Sequence, residues 1–238
     1  GNPNTGKTSL FNTFTGLNQS TGNYPGITVD KKTGYFTLDQ IKYELVDLPG
    51  TYSLEPHSLD EEIVLQELIS NKIDAVIYIA DATNLRRNLF LFSQIKDLGY
   101  PCLLVINRID KLNKSGLKVN FKQLAKEYKT SVIPISVKKS IGIDELKKEL
   151  VELNYHTDYQ TSFTWEHNDI SEIAQINSVK NMYWAWLIAH QKCTLKLFNE
   201  TDKKHIISAV KNSQVNSESI LKKEATQRYA KIDTLLEK

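Results

Sequence analysis

The residue types best suited to chemistry open the chain, in the run GNPNTGKT. This run fits the phosphate-binding pattern G-x-x-x-x-G-K-[ST], with Gly1 and Gly6 as its glycines. Successive backbone N–H groups of such a loop point at a phosphate, and the positive end of the next helix dipole faces the same anion. Lys7 would contact the β- and γ-phosphates, and the Thr8 hydroxyl would bind Mg²⁺. The predicted phosphate site comprises Gly1, Asn2, Asn4, Thr5, Gly6, Lys7, Thr8 and Ser9.

A second motif, DLPG at 47–50, follows a β-like run. An Asp47 carboxylate at the end of a strand can hold Mg²⁺ through water, and the Gly50 N–H can bond a γ-phosphate that is present only before hydrolysis. Alone, D-x-x-G is common and predicts only a turn. After a phosphate loop and a strand, it indicates a switch that responds to nucleotide hydrolysis.

The third motif, NRID at 107–110, identifies the base. The Asp110 carboxylate can accept hydrogen bonds from guanine N1–H and the 2-amino group, and Asn107 can tie the base-binding loops together. Adenine lacks both donors and would leave the carboxylate unpaired, so the pattern predicts GTP rather than ATP. A shorter motif consists of Ser136, Val137 and Lys138. It could provide a backbone N–H for guanine O6, but on its own it predicts only a turn.

Alternating strands and helices must position these motifs. Continuous apolar runs such as DAVIYIAD and CLLVIN are typical of strands covered on both faces of a parallel sheet. We predict an α/β fold, a three-layer sandwich of the P-loop GTPase type around a mostly parallel sheet with one antiparallel edge hairpin. The predicted strands are 34–38, 43–48, 74–81, 102–107 and 131–136, and the predicted helices are 8–15, 59–68, 88–98, 120–128 and 144–153. Residues 18–29 are rich in polar residues, Gly and Pro, which predicts a loop.

Beyond residue 154 the pattern changes to helices, at 178–193, 203–211 and 219–236. This predicts a G domain over 1–158 and a small all-α domain over 159–238. The strand that should precede a phosphate loop is missing before Gly1. We therefore expect the natural chain to extend upstream, and we expect these 238 residues alone to fold or bind nucleotide poorly.

Composition excludes several classes of protein. The formal net charge of +2 gives no reason to expect a nucleic-acid partner. Two cysteines, Cys102 and Cys193, without metal-ligand spacing exclude a disulfide scaffold, and Cys102 is expected to be buried. No apolar run of about 18 residues is present, so these residues do not themselves span a membrane.

One family matches these motifs. GNPNTGKTSLFN, GNYPGITV, DLPGTYSL, DATNLRRNLFL and NRIDKL resemble the cytosolic G domain of FeoB, the bacterial ferrous-iron transporter, over about residues 1–155. The helical remainder is similar to that family's helical regulatory domain. The resemblance implies a slow GTPase on the cytoplasmic side of a membrane protein, with a permease domain following Lys238. A homo-oligomer is compatible with it.

The resemblance also implies residue roles. Thr28 would bind Mg²⁺ and the γ-phosphate as a switch residue, and the stem of Arg108 would lie against the base. Thr51 stands where many small GTPases have a glutamine that orients water. In the potassium-activated GTPases, which this family resembles, a K⁺ ion supplies the missing charge, with Asn4 as its expected ligand. A loop-stabilising role for the Asn4 side chain is the alternative.

Two other functions stay open from the sequence. Ribosome-assembly and tRNA-modification GTPases share several of these motifs, but usually carry D-T-x-G and an RNA-binding module. A nucleotide-dependent interaction module with negligible hydrolysis is compatible with Thr51. Among the remaining candidates, Arg86 and Arg87 are expected to be solvated helix charges, His57 a surface loop residue, and the tryptophans part of a core.

Overall fold

A computed structural model of the protein describes residues 1–24, 29–70, 72–115, 119–153, 171–176, 179–212 and 217–237. Helix α1 (Lys7–Thr15) leaves the phosphate loop directly, as predicted, and buries Leu10, Phe11 and Phe14. Gly1 lies beside a buried strand, because a Cβ at Gly1 would be 2.3 Å from the carbonyl oxygen of Ile79. The loop therefore starts against the sheet that carries the base-binding motif.

The predicted hairpin is present and longer than expected. β2 (Asp30–Leu38) pairs antiparallel with β3 (Ile41–Asp47). The turn between them contains only Asp39 and Gln40, at φ 46° and 66°. Positive φ at both positions is the geometry of a type I′ turn, whose twist matches that of the paired strands. The hairpin ends at Asp47 and delivers the second motif to the site.

Residues 18–29 were expected to form a loop, and the structure corrects this expectation for part of the segment. β1 (Gln19–Asn23) pairs antiparallel with β2, with Gln19 opposite Gly34. All its residues are exposed, so the strand has no apolar alternation that a sequence pattern could detect. Residues 25–28 lie outside the described part of the chain.

The second sheet contains the predicted parallel strands β4 (Val76–Asp81), β5 (Cys102–Asn107) and β6 (Val132–Pro134), in that order. In the described residues, this sheet and β1–β2–β3 are separate three-stranded ladders, whereas we expected the hairpin to form an edge of one sheet. Parallel register places Asp81 opposite Asn107. The carboxyl ends of β4 and β5 thus meet at one edge, next to the phosphate loop.

Side chains of the parallel strands alternate between two cores, as expected for a sheet covered on both faces. Ile79 and Leu103 pack with Leu10 on one face, and Tyr78 and Leu104 belong to the core on the other. Cys102 is buried, as predicted. Further helices of this part are α2 (Leu59–Ile69), α3 (Leu85–Asp97), α4 (Ile109–Ser115), α5 (Phe121–Tyr128) and α6 (Ile143–Val151). The short polar helix α4 was not predicted.

The C-terminal part is helical, as predicted; the helix expected at 178–193 is shorter in the structure, whereas those expected at 203–211 and 219–236 are slightly longer. It contains α7 (Ser171–Ala174), α8 (Met182–His190), α9 (Glu200–Asn212) and α10 (Ser217–Leu236). A 3₁₀ segment at Lys192–Leu197 follows α8. Trp184 and Trp186 are buried in the core, as expected, whereas Trp165 lies outside the described residues. None of the described helices combines the length and apolar character needed to cross a membrane.

A buried ionic cluster joins α10 to α3. The Arg228 guanidinium lies 2.6 Å from the Asp97 carboxylate and 2.8 Å from that of Glu224, and it donates to Ser93 Oγ. The side chains of Arg228, Asp97 and Glu224 are at most 3% exposed. The predicted boundary near residue 158 falls in 154–170, outside the described residues, so the division into domains stays a prediction.

Candidate nucleotide-binding site

The phosphate loop has the conformation that an anion cradle requires. Gly6 adopts φ 100°, and a Cβ there would be 2.4 Å from Asn107 Nδ2, so only glycine fits. No side chain caps the start of α1 at Gly6. The first N–H groups of the helix therefore remain available to an anion, which the helix dipole also attracts.

Lys7 and Asn2 are held inside this loop. Lys7 Nζ donates to the Asn2 carbonyl oxygen at 2.8 Å, and Thr5 Oγ1 donates to the same oxygen at 3.0 Å. The Asn2 side chain is buried, with its Oδ1 atom 3.0 Å from the Tyr78 hydroxyl. Burial lowers the pKa of Lys7, and the nearby Asp47 carboxylate opposes that shift. Asn2 thus supports the loop through its side chain, and only its backbone can face a phosphate.

The edge at which a metal ion is predicted brings the first two motifs together. Thr8 Oγ1 donates to Asp47 Oδ2 at 2.9 Å. Gly50 packs against the loop, since a Cβ there would be 2.8 Å from Pro3 Cα and 3.0 Å from Lys7 Nζ. A hydroxyl and a carboxylate oxygen at this spacing are hard ligands of the kind that Mg²⁺ prefers. Thr8 and Asp47 therefore fit the implied ion.

The loop after Gly50 is anchored away from the phosphate loop. Thr51 is 1% exposed, and its hydroxyl lies 2.7 Å from the Ser53 carbonyl oxygen and 3.0 Å from Glu61 Oε1. Ser58 caps α2 by accepting from the Glu61 N–H, while Glu61 Oε2 accepts from the exposed His57 N–H. The Thr51 hydroxyl is thus engaged with α2.

The edge at which the base is predicted to bind is connected through Asn107. Its Nδ2 donates to the Thr5 carbonyl oxygen at 2.9 Å, and its Oδ1 accepts from the Arg108 and Val137 N–H groups at 2.8 and 3.1 Å. The side chain is buried. One amide therefore joins the phosphate loop, the NRID loop and the SVK loop, the tying role that the sequence suggested.

Asp110 is prepared to accept hydrogen bonds. Ser136 Oγ donates to Asp110 Oδ1 at 2.7 Å, which lowers the pKa of the Asp110 carboxyl. The group is therefore ionised at neutral pH and can only accept. Val137 begins a 3₁₀ turn, Val137–Lys139, and Lys138 is exposed at the same edge. Guanine N1–H and its 2-amino group are the donors that this carboxylate suits.

Sequence reasoning missed Asp81. The Arg108 guanidinium donates to Asp81 Oδ2 and, at 2.7 Å, to the Asn4 carbonyl oxygen. The aliphatic stem of Arg108 was expected to lie against the base. That role stays a prediction. The signal that could have identified Asp81 was its position at the carboxyl end of β4, level with Asn107.

The other residues predicted for the site lie partly at its surface and partly outside the described residues. Asn4 is exposed at φ 61° on the phosphate loop, and Ser9 is exposed on α1. Thr28 lies outside the described residues. Arg86 and Arg87 are exposed charges on helix α3, as expected, and each has a partner at the surface: Arg86 pairs with Asp233 at 2.6 Å, and Arg87 lies over the Tyr52 ring. The structure does not bring either arginine into the site described above.

Comparison with known proteins gives concordant matches. Residues 1–150 match the family model described as ferrous iron transport protein B. The Fe(2+) transporter FeoB of Legionella pneumophila (strain Paris) is 44% identical over 155 residues, which cover 63% of this chain and 21% of that protein. The transporter of Shigella flexneri is 42% identical over 151 residues, covering 62% of this chain and 20% of its own. The chain thus spans about a fifth of the length of these curated relatives.

Solved structures match over nearly the whole chain. The cytosolic domain of L. pneumophila FeoB is 32% identical, with a TM-score of 0.82, covering 99% of this chain and 96% of that one. The cytosolic domain of the T. maritima FeoB iron transporter in GDP form I is 28% identical, with a TM-score of 0.79, covering 100% and 94%. Its GMPPNP form is 27% identical, with a TM-score of 0.74, covering 99% and 95%.

Proposed function

The chain belongs to the ferrous iron transport protein B family, and from this premise we propose that it binds GTP and GDP, hydrolyses GTP slowly, and regulates ferrous-iron transport. Because the chain corresponds to about a fifth of its curated relatives, iron transport belongs to the proposal for the whole protein. That protein would include a membrane permease domain, with the present residues on its cytoplasmic side.

The observation that carries the proposal is the connected base-binding edge. Asn107 bonds both the phosphate loop and the SVK loop, and Asp110 presents an ionised carboxylate beside them. A preformed acceptor favours guanine because adenine would leave it unpaired. Relatives whose structures contain GDP or GMPPNP support this nucleotide class.

Mg²⁺ fits the other edge. Thr8 and Asp47 would hold the ion, which would neutralise charge on the phosphate oxygens when bound. Lys7 would exchange its bond to the Asn2 carbonyl for phosphate oxygens, and the Gly50 N–H would face the γ-phosphate. Thr28 would complete the switch.

Hydrolysis would be stimulated by K⁺ bound at Asn4. Thr51 has its hydroxyl at Glu61 and Ser53, so it does not take the water-orienting role of a glutamine. Asn4 is exposed on the phosphate loop, and within the described residues its side chain makes no hydrogen bond that competes with a cation. A bound monovalent cation would supply the charge that an arginine finger supplies elsewhere.

The test of nucleotide choice compares fluorescent GDP and ADP in equilibrium titrations with the same protein and Mg²⁺. We expect GDP to bind at least about 10⁴-fold more tightly, since a site built for hydrogen-bonding partners rejects analogues that lack them. Equal affinities would reject the guanine assignment.

The test of potassium activation measures GTP hydrolysis in KCl and in NaCl at equal ionic strength. We expect faster hydrolysis in KCl and loss of that difference in Asn4→Ala. Asn12→Ala is the matched control, since Asn12 is exposed on α1 and accepts from Gln19 instead. A potassium effect that survives in Asn4→Ala would remove Asn4 from this role.

The other two functions make different predictions in these assays. A ribosome-assembly or tRNA-modification GTPase of the same class is not favoured, since the relatives are iron transporters. An interaction module would bind GTP with no turnover in either salt, so the hydrolysis assay separates it from the proposed GTPase.

A further inference from the structure

Arg108 joins three parts of the site: the NRID loop, the phosphate loop and the end of β4. It stands in the NRID loop, and its guanidinium donates both to Asp81, at the end of β4, and to the Asn4 carbonyl oxygen of the phosphate loop. We call Asp81, Arg108 and the Asn4 carbonyl the clasp. It is a second connection between the base loop and the phosphate loop, beside the bond from Asn107 to Thr5.

The backbone around the clasp is strained in a way that serves these contacts. Arg108 and Asn4 both have positive φ, 67° and 61°, a backbone conformation that residues other than glycine rarely adopt. Strained residues persist where surrounding contacts hold them, and they concentrate at ligand sites. One hydrogen bond from the Arg108 guanidinium links these two strained positions.

Asp81 is fixed before it meets Arg108. Its Oδ1 accepts from the Thr83 N–H at 2.9 Å and from Thr83 Oγ1 at 2.7 Å, which leaves Oδ2 for the guanidinium. The residue is 8% exposed. A carboxylate held in this way gives Arg108 a defined direction, and a charge-assisted bond in a partly buried place is stronger than an exposed one.

We propose that Asp81, acting through Arg108, is a positioning residue that slows nucleotide dissociation. This rests on the proposed function. A guanine nucleotide would be enclosed by the phosphate loop at one end and the base loop at the other. Its release requires these loops to separate, and the clasp opposes that separation without contacting the nucleotide through Asp81.

The test measures dissociation of fluorescent GDP by chase with unlabelled GDP, and association by stopped flow. In Asp81→Asn we expect dissociation to be about tenfold faster and association within about twofold of the original, since changes at one interface act mostly on dissociation. Arg108→Gln should accelerate dissociation at least as much, since it also removes the bond to the Asn4 carbonyl oxygen. The double variant should not exceed Arg108→Gln alone, because Asp81 acts through Arg108. Arg108→Lys should fall between, since it keeps the charge but not the two-pronged geometry.

Asp233→Asn is the matched control. It also removes a carboxylate that pairs with an arginine, but at α10 and away from the site, so its dissociation rate should not change.

Failure of the original protein to prefer GDP over ADP rejects the proposed function itself. If it binds GDP and both Asp81→Asn and Arg108→Gln release it within twofold of the original rate, the clasp alone is rejected. A purely structural role would have a different signature. Asp81→Asn would then slow association by the same factor by which it accelerates dissociation, and it would lower the unfolding temperature measured without nucleotide. That result would also overturn the proposal. Should Asp81→Asn not fold, Arg108→Gln carries the same test.

Discussion

The two edges of the site are built differently. At the base edge, buried Asn107 and Ser136 hold three loops and the Asp110 carboxylate in one hydrogen-bonded arrangement. At the phosphate edge, the contact between Thr8 and Asp47 is exposed, and Lys7 bonds a backbone carbonyl. The base edge is thus formed before ligand arrives, whereas the phosphate edge has contacts that a ligand can replace.

This difference agrees with the tasks of a nucleotide switch. Guanine is the same before and after hydrolysis, so its site gains affinity from being rigid. The γ-phosphate is present in only one state, so residues that report it need contacts that can break. Substitutions at the base edge should therefore mainly lower nucleotide affinity, and substitutions at the phosphate edge should mainly change the response to metal.

The largest effect is expected at Asp110. Asp110→Asn replaces an acceptor-only carboxylate by an amide whose NH₂ group faces the guanine donors, so GDP affinity should fall by at least about 100-fold, or roughly 3 kcal/mol. Equilibrium titration measures this change. Asp144→Asn, at an exposed carboxylate of α6, is the control. A loss below threefold would mean that Asp110 does not read the base.

The second largest effect is expected from Asn107→Ala. It leaves the Thr5 carbonyl and the Arg108 and Val137 N–H groups without their partner, so we expect unfolding free energy to fall by about 2 kcal/mol and GDP affinity by roughly tenfold or more. Denaturant titration and GDP titration measure the two losses. Unchanged stability would show that the base edge is not preformed.

A smaller effect is expected from the metal ligand. Thr8→Ala should weaken GDP binding in Mg²⁺ by about tenfold and remove most of the difference that chelation with EDTA makes to the original protein. Asn12→Ala, at an exposed position of α1 whose side chain contacts Gln19, is the control. If EDTA affects Thr8→Ala as strongly as the original protein, Thr8 is not a ligand.

The smallest effect on hydrolysis is expected at Thr51. Thr51→Val removes the hydroxyl that lies between Glu61 and Ser53, which should cost about 1 kcal/mol of unfolding free energy. GTP turnover should stay within about threefold, because this hydroxyl does not face the phosphate loop. A loss of turnover by 100-fold would assign Thr51 a direct part in the reaction.

Much of this site could be predicted from sequence, since motifs at strand ends must meet at one edge of a parallel sheet. Asn107 and the SVK loop were brought together by that rule. Thr8 and Asp47 meet by another route, because Asp47 ends the antiparallel strand β3 and not a strand of the parallel sheet. Asp81 was missed because it follows an apolar strand without a recognised motif, and only the register with Asn107 shows its place.

The misses elsewhere have physical reasons as well. β1 is polar and exposed throughout, so its backbone pairing leaves no trace in hydrophobic periodicity. The environment of Arg86 depends on Asp233, far along the chain, and a local pattern cannot reveal such a partner. Thr51 was identified as the residue in the glutamine position, but its orientation is set by Glu61 at the start of α2.

The buried cluster of Arg228, Asp97 and Glu224 bears on how the protein unfolds. Detaching α10 while α3 stays folded would separate charges that are almost fully buried, and breaking such a pair costs about 3–5 kcal/mol. The Leu54 N–H, in the loop that follows DLPG, donates to Gln94 Oε1 on α3. The same helix therefore holds this loop in place. The helical part and the nucleotide-binding part should therefore melt in one cooperative transition, and calorimetry would then show a single peak.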